Sequence, residues 1–176
     1  PNTELVINGL PYEGKSEDLK SIVTKIATLK QVTLPSNFGC FRALRRSEGK
    51  SQASHNKPPR VILQLYDNAL KNLMKKRSET KLTLANLECK SETLTEAQLS
   101  QQFYINENLT PEQARLNYEA RQFRKAHNFR FAWTSDGITL LRKAEGKPIH
   151  SIRSMEDLQR VKAQNAEEAQ AAARQA

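Results

Sequence analysis

Two different periods of apolar residues alternate along the first half of the chain, and this change of period most constrains its fold. Glu4–Leu10 and Arg60–Tyr66 place apolar residues at every second position, which predicts strands with one buried face. Between them, Leu19–Leu29 repeats apolar residues at helical spacing, which predicts a helix with a single apolar stripe. A helix set between two such strands begins an α+β pattern.

The remaining elements of the first half complete the order β-α-β-β-α-β. They are a cap at Ser16 for the first helix, a β-prone segment at Phe38–Arg45, a polar loop at Ser47–Pro59, a helix from Asp67 or Asn68 to about Ser78, and a short fourth strand at Leu82–Leu87. Glu17 and Asp18 would lie in the first turn of the first helix, where negative charge is favourable. This order within residues 1–88 is the split β-α-β pattern.

The second half predicts a small α+β domain at residues 103–162, after a polar linker at 89–102 and before a polar tail at 163–176 that is helical or disordered. Thr110, Pro111 and Gln113 mark a helix start, because threonine caps, proline suits the first turn and glutamine completes a capping box. The predicted elements are a strand at Phe103–Leu109, a helix to about Ala126, strands at Phe129–Trp133, Ile138–Lys143 and Ile149–Ile152, and a last helix capped by Ser154.

Two side-chain patterns predict the core of this domain. The helix would bury one stripe, formed by Leu116, Ala120, Phe123 and His127. Trp133 shares the parity of Phe129 and Phe131, so we expect it in the core. Asp136 and Gly137 predict a hairpin turn, since this pair tolerates positive φ. The expected architecture is a three-stranded sheet with two helices.

Positive charge is concentrated in one segment. The 176 residues carry a net charge of +9, and Phe38–Lys81, with eleven basic and three acidic residues, accounts for +8 of it. Such asymmetry favours an anionic partner, although a charge run is often only a solvated face. The helix predicted near Asn68–Lys81 lacks the broad aromatic and leucine face of a membrane-surface helix. Nucleic acid is therefore favoured over lipid.

The sequence predicts no enzyme, no metal site and no cofactor. Cys40 and Cys89 are far apart and match no ligand or disulfide pattern, so we expect free thiols in a reducing compartment. The chain has no glycine-rich phosphate loop, no nucleophile elbow and no HExxH motif, and its carboxylates are scattered. No catalytic residue is predicted.

The first half resembles an RNA-recognition motif in the order of its elements. In that family, aromatic residues on the two central strands stack on bases. The corresponding positions here are Val6, Arg60 and Ile62, so the usual stacking platform is missing. Two readings of this sheet face remain open. Its polar residues, which include Asn8 and Arg60, would grip phosphates, or the next domain or a partner would cover the face.

The second half resembles the C-terminal domain of the baculovirus few-polyhedra protein family. Related domains occur in first-open-reading-frame proteins of LINE-type retrotransposons. The resemblance is carried by the runs Tyr104–Pro111, Ala120-Arg121, Phe131–Ile138, Leu141–Lys143 and Ile149–Leu158.

The retrotransposon proteins bind single-stranded RNA with little sequence preference and act as nucleic-acid chaperones in target-primed reverse transcription. The resemblance therefore implies a cytoplasmic ribonucleoprotein, and it leaves a nuclear location open. It also implies a homo-oligomer formed through a coiled coil N-terminal to Pro1, and single-stranded DNA remains a further possible ligand.

In that family the RNA path is lined by arginine and lysine between the two domains. Carried over by position, with Arg60 and the exposed aromatics added, the candidate RNA-binding residues are Arg60, Arg115, Arg121, Arg124, Lys125, Arg130, Arg142, Lys143, Arg153, Tyr104 and Tyr118. Arg121, Arg142 and Arg153 rank first because they lie inside matched runs.

Each of these three has a structural alternative. Arg121 could sit on a solvated helix face, Arg142 could pair with Glu145, and Arg153 could compensate Asp157. A second hypothesis makes the chain a viral structural protein that binds a protein partner through the first sheet. Substitutions at Val6 or Ile62 would then disrupt assembly.

Overall fold

The chain folds into two compact α+β units, which confirms the predicted fold class. The computed structural model describes residues 3–12, 14, 17–43, 58–78, 81–87 and 94–174. The N-terminal unit spans Thr3–Asn108, and the C-terminal unit contains Leu109–Ala176. The division falls after Asn108, whereas the sequence predicts the second domain from residue 103.

The N-terminal unit is built on a four-stranded antiparallel sheet in the order β2-β3-β1-β4. Its elements are β1 (Glu4–Asn8), α1 (Leu19–Leu29), β2 (Gly39–Ala43), β3 (Arg60–Gln64), α2 (Asn68–Lys75), a 3-10 turn (Leu84–Leu87), α3 (Glu96–Leu99) and β4 (Tyr104–Glu107). This strand order, with helices after the first and third strands, is the predicted split β-α-β arrangement.

One face of this sheet carries the core of the unit. Leu5 on β1 and Leu63 on β3 are directly paired and fully buried, as the alternation predicts. Ile26 on α1 and Met74 on α2 pack into the same cluster. Burying each such side chain contributes about 1.5–3 kcal/mol, so the two helices are held mainly by this face.

The predicted fourth strand at Leu82–Leu87 is wrong, because that segment forms the 3-10 turn and β4 takes its place beside β1. Leu84 and Leu87 are both buried, at the three-residue spacing of a 3-10 helix. The Thr83 backbone N–H and hydroxyl both donate to Asn86 Oδ1 at 2.9 Å, and such local bonds compete with a strand ladder. The strand predicted to open the second domain therefore belongs to the first sheet.

Helix caps account for most helix starts. Asp18, not Ser16, caps α1, since its carboxylate accepts from the Ser21 N–H at 3.1 Å; Ser16 itself lies outside the described residues. Asp67 caps α2 through the N–H groups of Ala69 and Leu70, which decides between the two predicted starts, Asp67 and Asn68.

The C-terminal unit pairs two helices with a three-stranded antiparallel sheet in the order β5-β6-β7. Its elements are α4 (Pro111–Ala126), β5 (Phe131–Ser135), β6 (Ile138–Arg142), β7 (Ile149–Ile152) and α5 (Met155–Arg174). The predicted capping box at Thr110 and Gln113 is confirmed. Asp136 and Gly137 take φ values of 52° and 79°, which form the predicted hairpin turn.

Both helices pack on the same face of this sheet. Phe123 on α4 and Leu158 on α5 join Leu141 and Ile152 of the sheet in one buried cluster. The sequence predicts His127 in the buried stripe, but the structure shows it exposed, because α4 ends at Ala126. Its imidazole ring is tilted against the Phe123 ring, with 4.5 Å between the ring centroids.

Trp133 was also predicted in the core, and the structure places it on the opposite face of the sheet. Asn128 adopts φ of 55°, so the chain turns between α4 and β5 and the alternation counted from Phe129 does not run into the strand. Phe129 is buried, but within β5 it is Ala132 that packs against the core. Trp133 pairs with Leu140 on the other face.

The last helix continues well past its core contacts. Val161 is its last buried residue, and residues 163–174 are helical and largely exposed; the sequence left a helical and a disordered tail open. Among the helices that the structure describes, none has both the length and the apolar character needed to cross a bilayer.

Candidate nucleic-acid interface

One exposed face of α4 brings together four of the predicted RNA-binding residues. We call this surface the α4 stripe: Arg115, Tyr118, Arg121 and Lys125. They recur every three or four residues, which places them side by side along a helix. Tyr118 is 60% exposed. The stripe points away from the sheet, since Leu116 and Phe123 occupy the buried side of the same helix.

The α4 stripe carries positive charge without a carboxylate of its own. Glu112 and Glu119 are the acidic residues of the helix, and helical spacing places both beside Arg115 and neither beside Arg121 or Lys125. Within the part of the chain that the structure describes, Arg115, Arg121 and Lys125 form no ion pair. Their charges are therefore available to an anion from solvent. Arg121 thus lies on a solvated helix face, which is the structural alternative to RNA binding named for it above. A phosphate chain also requires a solvated face, so this position is compatible with both interpretations.

Arg124 does not belong to this surface. It is half-buried, and its Nη1 donates to the Arg130 carbonyl oxygen at 3.4 Å, which ties the end of α4 to the segment before β5. Its position on the helix is turned away from Tyr118 and toward the sheet side.

Arg142 and Arg130 gather at a different place, around the ring of Phe131. The guanidinium carbon of Arg142 lies 4.5 Å from the ring centroid, and that of Arg130 lies 5.3 Å from it. Arg142 and Phe131 are directly paired on the sheet face that carries Trp133. Since α4 covers the other face, the predicted basic residues of this unit divide between two opposite surfaces. The structural alternative for Arg142 is not observed, because no ion pair joins it to Glu145 among the described residues.

Lys143 and Arg153 lie apart from both groups. Lys143 Nζ pairs with Glu168 Oε2 of α5 at 3.0 Å. The backbone N–H of Arg153, rather than its side chain, donates to Asp157 at 3.0 Å, and this carboxylate also pairs with Arg160 at 2.6 Å. The Arg153 side chain is exposed.

The outer face of the N-terminal sheet holds the other two predicted residues. Register places Arg60 opposite Ala43, and Tyr104 opposite Asn8, so these residues form one row across the four strands. Arg60 is exposed, and Tyr104 is 57% exposed. Val6 and Ile62 form the next row and are buried, without belonging to the core cluster.

Sequence reasoning missed Phe41 on this face. Phe41 pairs with Ile62 and is 46% exposed. The central strands lack stacking aromatics as predicted, but the edge strands supply Phe41 and Tyr104 instead. Alternation through β2 would have identified Phe41, had the parity of that strand been assigned.

Two charged residues of the edge strands point inward. Arg42 on β2 is paired with Glu17, and Glu107 on β4 accepts from Lys75 Nζ at 2.6 Å. The Arg42 guanidinium also donates to backbone carbonyl oxygens, at 2.8 Å to that of Pro59, so it is held on the inner side of the sheet. Inward charges of this kind discourage edge-to-edge association of sheets.

Only part of the basic segment Phe38–Lys81 is thus free to meet an anion. Lys71 is fully buried, and Lys75 and Arg42 are paired. The exposed basic residues that the structure describes there are Arg60, Lys76, Arg77 and Lys81. Arg45, Arg46, Lys50 and Lys57 lie outside the described residues.

Two groups of the N-terminal sheet have shifted pKa values, and neither shift favours the binding of an anion. Hydrogen bonds from Gln64 and Asn108 lower the pKa of Glu4, which keeps a carboxylate ionised at one end of the outer sheet face. Burial raises the pKa of the Cys40 thiol and so keeps it protonated. Among the described residues, no three His, Cys, Asp or Glu side chains are grouped so that they could hold a metal ion.

Residues 110–162 match the sequence model of a family described as baculovirus FP protein domain 2. The matched segment runs from the cap of α4 through the whole three-stranded sheet into α5, and it covers 53 of the 176 residues. The few-polyhedra resemblance is thereby confirmed for this segment. No curated protein matches the chain.

Proposed function

We propose that the chain binds single-stranded RNA with little sequence preference, as a nucleic-acid chaperone that coats the RNA of a LINE-type retrotransposon in a ribonucleoprotein. The α4 stripe carries this proposal: three cations that form no ion pair with any described residue, and an exposed tyrosine, lie along one helix face. From Arg115 to Lys125 the helix rises by about 15 Å, at ~1.5 Å per residue. A surface of this length contacts several successive nucleotides.

The chemistry of the stripe suits a flexible polyanion. Arginine and lysine neutralise phosphates, and Tyr118 offers a ring on which any base stacks. Such contacts do not distinguish bases, which is why we infer low sequence preference. The N-terminal unit is proposed as an RNA-recognition-motif-like domain, supported by its strand order, with Arg60 and Tyr104 as contacts on its outer face.

Binding of an oligouridine of about 20 nucleotides, measured by fluorescence anisotropy, tests this proposal. For single strands the log of affinity falls with the log of salt by ~0.7 per neutralised phosphate, so three stripe cations contribute about 2 to that slope. Replacing Arg115, Arg121 and Lys125 together with glutamine should remove this part of the slope. Oligoadenosine should bind within about tenfold of oligouridine.

The matched control removes three exposed positive charges elsewhere: Lys20→Gln, Lys147→Gln and Arg174→Gln. This variant has the same net charge as the stripe variant but keeps the stripe, so it should retain most of the slope. Equal losses in both variants would mean that only total charge matters. Weak binding by the unmodified chain that does not change with salt would refute RNA binding itself.

A second candidate function follows from the family match. A baculovirus FP-like structural protein would bind a protein partner through the outer face of the N-terminal sheet. The exposed Phe41 and Tyr104 at the rim of this face favour that reading. Serine substitutions at these two positions would then abolish partner capture by the full chain and leave RNA affinity unchanged, whereas RNA contacts on the face predict a loss of RNA affinity.

A further inference from the structure

A second surface of the C-terminal unit combines aromatic rings with arginines that form no ion pair among the residues the structure describes. Strand register places Phe131, Arg142 and Ile149 in one row, and Trp133 and Leu140 in the next row. We call these five residues the sheet platform. They share the face that α4 and α5 leave uncovered, because both helices pack against Leu141 and Ile152 on the other side.

The platform presents a mixed apolar and cationic surface. Phe131, Trp133 and Leu140 are half-buried, and Ile149 is 53% exposed. No outward position of these three described strands carries a carboxylate. A cluster of aromatic and aliphatic side chains with cations at its edge, and without acids, matches a ligand that is flat, apolar on its faces and negatively charged along its backbone.

The guanidinium of Arg142 is held on the sheet platform by an aromatic ring. Its guanidinium lies over Phe131, and Arg130 approaches the same ring. Its Nε is buried and finds no hydrogen-bond partner among the described residues, and no carboxylate there pairs with the side chain. Stacking therefore holds the guanidinium instead of ion pairing. A guanidinium held in this way keeps Nη donors for an oxyanion and a planar surface for a base.

We propose that the sheet platform is a base-stacking subsite for single-stranded RNA, in which a base stacks on Trp133 and Arg142 and Arg130 contact the adjacent phosphates. This inference rests on the proposed function and adds a second contact to it. The platform lies on the side of the unit opposite the α4 stripe, so the two surfaces contact different nucleotides. Charge complementarity selects nucleic acid as the partner, because Arg142 and Arg130 meet on a face whose strand positions carry no outward carboxylate, in a chain with a net charge of +9.

The chain contains one tryptophan, so Trp133 reports directly on its own contact. Titrating the full chain with oligouridine should quench the tryptophan emission saturably, with the same midpoint as the anisotropy change. An abasic oligonucleotide of equal length carries the same phosphates without bases. It should bind more weakly and should leave the tryptophan emission unchanged.

Substitution gives a second, independent readout. Trp133→Leu keeps an apolar side chain but removes the indole ring, and it should weaken oligouridine binding by about 5-fold to about 150-fold, the range of one stacked base. The salt slope should be unchanged, because no cation is lost. Trp133→Tyr should restore much of the affinity, and thermal unfolding shows whether each variant is folded.

The outcomes separate this inference from the proposed function. RNA binding by anisotropy without a change in tryptophan emission would overturn the platform and leave the stripe intact. Emission that follows protein concentration in the absence of RNA would instead make this face a contact between two copies of the chain, which also overturns the inference. Absence of RNA binding in both assays would reject the proposed function as well.

Discussion

Replacing Arg42 with glutamine should destabilise the N-terminal unit strongly while leaving the salt dependence of RNA binding unchanged. Arg42 belongs to the most basic segment of the chain, so counting charges would assign it to RNA. The structure assigns it to folding instead. Its side chain is only 7% exposed and that of its partner Glu17 is 4% exposed. The guanidinium donates to both Glu17 carboxylate oxygens and to the carbonyl oxygens of Leu10, Pro11 and Pro59.

The expected loss follows from this environment. Removing one partner of a buried ion pair leaves the other charge uncompensated and typically costs about 3–5 kcal/mol. A domain of this size has a total free energy of unfolding of about 5–15 kcal/mol. The variant should therefore lose a large fraction of the stability of this unit, or more than about 12 °C in melting temperature at ~4 °C per kcal/mol.

Urea denaturation followed by circular dichroism measures the loss. Arg60→Gln is the matched control, because Arg60 is exposed on the same sheet and should change stability by less than about 0.5 kcal/mol. Glu17→Gln should destabilise to a similar degree as Arg42→Gln, and the double variant should lose less than the sum of the two. A loss below about 1 kcal/mol for Arg42→Gln, or a reduced salt slope in a variant that remains folded, would refute the assignment.

Two further predictions concern the C-terminal unit. Gly137→Ala should lower the free energy of unfolding by about 1–2 kcal/mol, because φ is +79° and the new Cβ would lie 2.5 Å from Gln113 Nε2. Gly146→Ala is the control, since Gly146 has a similar φ of +73° but open space around it, and thermal denaturation should show a smaller loss of stability. An equal loss in both variants would contradict the role of the close contact. The hydrogen bond and charge of Lys143 lower the pKa of Glu168 from 4.5, so the stabilisation of the exposed end of α5 is present above pH 4.5 and is lost as pH falls through the lowered pKa. Circular dichroism should show a small acid-induced loss of helicity that Glu168→Gln reduces, while the part that depends on Glu156, whose pKa the Ser154 hydrogen bond lowers, remains. An unchanged acid transition in that variant would reject the pairing.

Local signals identified most elements of the fold. The capping box at Thr110 and the cap at Asp67 depend on residues within three positions of the helix start, so the sequence alone reveals them. The Asp136-Gly137 turn is equally local, because only a few residue types tolerate positive φ. The strands β1 and β3 were predicted from alternation, which requires nothing beyond one buried face.

The candidate site was only partly predictable. The basic and aromatic residues of α4 share a face by helical spacing, and the sequence could place them together. It could not show that Arg142 lies on the opposite side of the same unit, because that depends on which face of the sheet α4 covers. It also assigned Trp133 to the core, since nothing before the structure revealed the left-handed turn at Asn128.

The sequence by itself determined most of the helices and strands, the capping box of α4, the hairpin turn and the excess of positive charge, because each depends on neighbours along the chain. Only the tertiary structure decided that β4 completes the first sheet by pairing with β1, about a hundred residues earlier in the chain. It also decided that Arg42 forms a buried ion pair with Glu17. Partners in a sheet or a buried ion pair are chosen by packing between distant segments. A cation is therefore available to an anionic ligand only where folding has left it without a carboxylate or carbonyl oxygen to bind.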